Sequence, residues 1–160
     1  MILKKVLLIL LVAVGVAWLS TLQLSFPAGI QILRSSTGAV FTLEVADTDM
    51  KREVGLGGRP TIEEDEGMLF VFETPGPYSF WMKGMEFPLD IVWLASVDNL
   101  SEEALSRKQK VVVVHVEENV ATTTYPRVFT PDSSATYVAE LPAGSAKKSG
   151  IEFGSILMLE

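Results

Sequence analysis

From residue 28 onward the chain is a succession of short apolar or β-branched runs, each closed by glycine, proline or a polar turn. This punctuation constrains the fold more than any other feature. Phe41, Leu43 and Val45 alternate with Thr42, Glu44 and Ala46, the period of two that marks a half-buried strand. Strands are expected over 30–33, 40–46, 68–72, 78–82, 89–95, 111–116, 136–141 and 155–159, with turn signals between them. Asp47 or Thr48 can cap a short helix over 49–55, ended by Gly55, Gly57 and Gly58, and 146–149 can form a single helical turn. The expectation is a mainly β fold, a compact barrel or sandwich of about eight short strands with one or two small helices.

A different segment precedes this domain. Lys4 and Lys5 are followed by an unbroken apolar run from Val6 to Leu19, the layout of a secretory signal. Extended to Phe26 the run is long enough for a membrane anchor, and Gly15 and Ala17 do not decide whether it is cleaved. Residues 1–26 are therefore read as signal peptide or anchor and 27–160 as one β-rich domain. Either reading puts the domain outside the cytoplasm, attached to the membrane if the segment is uncut. Setting aside the leader with its two lysines takes the net charge from −7 to −9. So acidic a domain is a poor partner for nucleic acid, whose phosphates need a cationic surface. The chain has no cysteine, which removes thiol catalysis, thiolate zinc sites and disulfides together.

The unusual residues cluster between Arg52 and Ile91. Arg52 is followed by Gly55-Leu56-Gly57-Gly58-Arg59-Pro60, then Gly67-Met68-Leu69-Phe70, then Phe80-Trp81-Met82-Lys83-Gly84-Met85, running into Pro88-Leu89-Asp90-Ile91. In order and spacing this resembles the uncharacterised family catalogued as domain of unknown function 192, over about residues 40–160. The resemblance implies a compact β-rich barrel or sandwich, often behind a signal or anchor, and implies no activity. Its pattern has methionine where Gly57 stands, Asn-Thr where Gly84-Met85 stand, and an aspartate where Ser155 stands. It also has a short hairpin where residues 98–110 form an insertion. A Val-Leu-Glu-Leu segment and an Ala-Gly pair belong to the same pattern near the end.

Each candidate has a functional and a structural reading. Arg52 and Arg59 flank the glycine turn and can converge on a carboxylate or phosphate, or each can pair with Asp90 or an acid of 63–66 and pin the loop. Alternation sends Phe80 and Met82 to one face and Trp81 and Lys83 to the other, where they can line a groove for a sugar ring, peptide or acidic molecule. Asp90 stands in an apolar strand and must be paired if buried, with Lys83, Arg52 or Arg59 as the expected partners. His115, the single histidine, shares a face with Val111 and Val113 by alternation and reads as a structural residue. Glu63–Glu66 lacks EF-hand spacing, and Met68, Met82, Met85 and His115 are too scattered for a soft-metal site.

The expected function is a non-enzymatic extracytoplasmic module that binds a small anionic or sugar-like ligand, or an envelope protein partner. The proposed ligand site is Arg52, Arg59, Trp81, Lys83 and Asp90, with no catalytic residue, metal or cofactor. The alternative is a carboxylate-based hydrolase of envelope sugar or peptide, working through Asp90 and Glu86.

Overall fold

The computed structural model of the protein describes residues 29–97 and 108–160. The apolar leader and most of the 98–110 insertion lie outside the described residues. Among those described, no helix is long and apolar enough to cross a membrane.

The strands are β1 (Ile30–Arg34), β2 (Val40–Ala46), β3 (Glu66–Gly76), β4 (Phe80–Trp81), β5 (Leu89–Ser96), β6 (Gln109–Val120), β7 (Val128–Phe129), β8 (Ala135–Pro142) and β9 (Ile156–Leu159). Two short helices, α1 (Asp49–Val54) and α2 (Ser145–Lys148), complete the order. Seven strands close a barrel in the order β1-β2-β3-β8-β5-β6-β9, and β4 pairs with β7 as a separate ribbon. The fold is thus the mainly β architecture expected, as a barrel and not a sandwich. A ring of seven strands cannot be antiparallel throughout, since direction must alternate around it. The parallel exception is β2 against β3, joined by the crossover that carries α1.

The alternation expected in β2 holds for Phe41 and Leu43, which are buried, but at the strand's end Val45 is only half-buried and Ala46 is buried in the outer core. The barrel interior contains Leu33, Leu43, Leu69, Val92, Leu94, Val113, Ala139, Leu141 and Leu157. A second core lies on the outer face of β3, β8 and β5, where Phe70, Ile91, Trp93 and Val138 meet Leu56, Phe80 and Met82. Strands β3, β8 and β5 therefore present apolar side chains on both faces and read as near-continuous hydrophobic runs.

Several local expectations change. Thr48 is the α1 cap, its hydroxyl accepting from Lys51 N–H at 3.3 Å. β3 continues through Pro75 because the register shifts between Val71 and Gly76, so the proline lies where no ladder donor is needed. The 78–82 strand shrinks to Phe80–Trp81, since its partner β7 is confined between Pro126 and Pro131. His115 does not share a face with Val111 and Val113. Trp93 pairs with His115 but Leu94 pairs with Val113, so a bulge at Val114 turns His115 to the outer face. There it packs edge-on to Trp93 at 5.2 Å and meets Glu117 at 3.2 Å.

Asp90 is fully buried, and none of its expected partners reaches it. Its carboxylate accepts from the backbone N–H groups of Asn119 (2.8 Å), Gly144 (3.0 Å) and Ala146 (2.8 Å). It thus caps α2 from a neighbouring strand and ties β5 to the end of β6. Three amide donors satisfy a buried carboxylate as well as a guanidinium would.

Gly67 marks the tightest approach in the barrel. A Cβ there would collide with the carbonyl oxygen of Glu140 and with Leu43 Cδ2. Gly67→Ala is expected to destabilise the domain by at least about 3 kcal/mol, because backbone blocks any relief. Denaturant unfolding of the two proteins measures this.

Candidate functional site

The outer core is capped by two loops that meet. Gly58 N–H donates to Gly84 O at 2.8 Å, joining the glycine turn after α1 to the turn after β4. Between α1, this seam and the ends of β3 and β4 lies a cleft of about 410 Å³, in the size range of small-molecule sites. Phe72 and Tyr78 form one wall, stacked with ring centroids 3.5 Å apart. The exposed Trp81 and Lys83 also line it, and the buried Phe70 and Phe80 lie beneath, edge to face at 4.8 Å.

The expected split of the β4 segment is observed. Phe80 and Met82 are buried, whereas Trp81 is 51 % exposed and Lys83 is exposed beside it. The Lys83 ammonium has no ion-pair or hydrogen-bond partner among the described residues. Arg52 also lines the cleft, but its guanidinium is occupied. It donates to Val71 O at 2.7 Å and to Asp49 at 2.6 Å, and lies 5.3 Å from the Phe72 ring centroid. Its role in the fold is to pin α1 against β3 and hold the aromatic wall in place.

Arg59 and Asp90 do not join this group. Arg59 forms a fork with Glu44 at 2.5 and 2.9 Å and borders a separate depression on the β2 side of α1. The hydrogen bond from Arg59 holds the Glu44 carboxyl below its ordinary range. The arginines thus pair with Asp49 and Glu44, not with Asp90 or the acidic run; residues 63–66 are exposed. Of the five expected site residues, Arg52, Trp81 and Lys83 share the cleft. Glu86 is exposed and the buried Asp90 is held by backbone amides, and neither lines the cleft.

The most unusual group at the site is one that spacing alone did not single out. Glu140 is in β8, paired with Met68 and Ile91, and points to the outer face among apolar neighbours. It is 4 % exposed and lines the cleft floor. Its Oε2 is buried without any hydrogen-bond partner. Gly55 covers it: at φ +54°, its absent Cβ would lie 4.0 Å from Oε2 and 3.4 Å from Phe70 Cζ. Desolvation alone pushes the Glu140 carboxyl up to about 8, so it is uncharged at neutral pH. A buried carboxyl with no protein partner is costly, which is why such groups cluster at functional sites. The signal was present in the sequence as a lone acid in the apolar run Thr136–Leu141, the same cue that drew attention to Asp90.

The model of the family designated DUF192, described as "Uncharacterized ACR", matches residues 31–159. A solved structure of a proposed transcription regulator from Sinorhizobium meliloti 1021 is 28 % identical with a TM-score of 0.66, over 84 % of this chain and 95 % of that one. A protein of unknown function from Novosphingobium aromaticivorans DSM 12444 is 25 % identical with a TM-score of 0.62, over 80 % and 82 % of the two chains. No curated protein matches the chain.

Glu140 makes stability depend on pH. Between its ordinary value of 4.5 and about 8 the folded protein keeps a proton that the unfolded chain has lost. The folded state therefore binds more protons, and stability falls with rising pH by about 1.4 kcal/mol per unit across that window. Glu140→Gln removes this contribution. Its melting temperature is expected to rise relative to wild type from about pH 5 to about pH 8; a constant difference would show that Glu140 titrates normally.

Proposed function

The chain belongs to the DUF192 family, and from that premise we propose that it is an extracytoplasmic module holding a small anionic or sugar-like ligand in the cleft beside α1. One observation carries this reading: an exposed tryptophan, a lysine unpaired among the described residues and a stacked aromatic pair line one cleft of about 410 Å³. Aromatic faces suit the apolar faces of sugar rings, and Lys83 can contact an anionic or hydroxylic substituent. Trp81 and Lys83 serve as ligand contacts, Arg52 as the residue that fixes the wall. Arg59 and Asp90 support the reading only indirectly, by fixing β2 and the end of the barrel.

The leader supports the extracytoplasmic part, since Lys4-Lys5 ahead of an apolar run sets the topology of either a signal or an anchor. A net charge of −9 outside the leader favours a small-molecule or envelope partner over nucleic acid.

Residues 28–160 titrated with a panel of sugars and small organic anions are expected to show quenching of Trp81 fluorescence and a ligand-dependent rise in melting temperature. Trp81→Ala is expected to weaken binding at least about tenfold, roughly the loss of one stacking contact. Lys83→Ala should weaken it less. Binding unaffected by either change would place the site elsewhere.

A further inference from the structure

Resting on the reading that this cleft is a ligand site, we propose that Glu140 is its buried anchor and that the ligand is an uncharged polyhydroxylic molecule. One hydroxyl of the ligand takes the hydrogen bond that the Glu140 carboxyl does not make within the protein, while the ring of the ligand lies on Trp81.

Three observations lead there. The first is the orphaned oxygen: Glu140 Oε2 is buried and unpartnered in a protein whose other described buried side-chain polar atoms are satisfied. Asp90, at a comparable depth, receives three amide donors. Buried polar groups are normally paired, and the Glu140 side chain, which lines the cleft, carries an oxygen that no protein group satisfies.

The second is charge. The other titratable groups lining the cleft are Asp49, Arg52 and Glu53 from α1, Tyr78 ahead of β4 and Lys83 from the turn after it; the neighbours of Glu140 on β3 and β5 are Met68, Phe70 and Ile91. With Glu140 protonated, two acids balance two bases and the cleft has no net charge. Arg52 is moreover committed to Asp49 and Val71 O. An anion would find one free cation at the lip and an acid at the floor, so a neutral ligand is the better complement.

The third is the form of the carboxyl. At neutral pH it carries one O–H donor and spare acceptor capacity, the pairing a hydroxyl group reciprocates. Ionised, it would lose the donor and leave a buried charge against the ligand. Binding therefore requires the protonated form, and affinity scales with its population.

The test is calorimetric titration of the full-length protein with glucose, N-acetylglucosamine and myo-inositol, set against glucuronate and inorganic phosphate, at about pH 7 and about pH 9. The expected result is binding of at least one uncharged polyol, about tenfold weaker at the higher pH as the protonated fraction falls. Glu140→Gln keeps an N–H donor and an acceptor, so it should bind within a few-fold of wild type and lose the pH dependence. Glu140→Leu, which removes both functions without opening a cavity, should weaken binding at least about tenfold, circular dichroism confirming that the variant is folded. Polyol binding that is flat with pH, or unchanged in Glu140→Leu, overturns the assignment of Glu140. Binding of the anions alone, still lost in Trp81→Ala, overturns the uncharged class while sparing the cleft. If no compound binds in the millimolar range, the ligand-site reading itself fails.

Discussion

Closing an odd number of strands into a ring forces one parallel neighbour, and much of the molecule follows from where that neighbour falls. A parallel pair cannot be joined by a tight hairpin; its connection must cross from one end of the barrel to the other. Here the crossing lies between β2 and β3, and the chain uses it to lay α1 and a glycine turn over the outer face of β3, β8 and β5. That face would otherwise present Phe70, Ile91, Trp93 and Val138 to water. The crossover thus solves a topological requirement and a burial requirement together.

The cover is not seamless, and the cleft is where it fails to close. Arg52 draws α1 toward β3, while the Gly58–Gly84 hydrogen bond draws the turn toward β4. The space between keeps an aromatic wall and an open lip. Beneath it Glu140 occupies a position whose strand neighbours are all apolar, and Gly55 lies over its carboxyl. A leucine at that position would be ordinary; an acid there raises its own proton affinity at the expense of stability.

The departures of this chain from the family pattern are local. Gly57, where the pattern it resembles has methionine, sits where a Cβ would lie 3.0 Å from Val54 O, and nothing in the structure explains the difference. Ser155 replaces an aspartate yet still accepts from Glu152 N–H at 3.1 Å, and it donates to Gly150 O at 3.2 Å, closing the turn before β9. A hydroxyl can meet the requirement of that turn, as short polar side chains commonly do.

Most strand positions, a short helix capped by Asp47 or Thr48 and the division of Phe80-Trp81-Met82-Lys83 into buried and exposed halves were legible in the chain, because each depends on residues within a few positions of one another; the two-residue β7 was not. The bulge at Val114, which reverses His115, left no local mark. The proximity of Arg52, Arg59, Lys83 and Asp90 in sequence suggested one site, but hydrogen-bond partners are set by what the fold brings near. Asp90 met three amides from the end of β6 and the start of α2, Arg59 met Glu44 on β2, and only Arg52, Trp81 and Lys83 came together. Glu140 lies far along the chain from them. Composition and periodicity alone determined a mainly β domain, its alternating faces and its acidic charge, since those are properties of local pattern. The tertiary structure decided that Arg52 and Arg59 are both committed while Lys83, among the described residues, is not, and which acid is paired and which is left alone, because pairing depends on closure of the barrel.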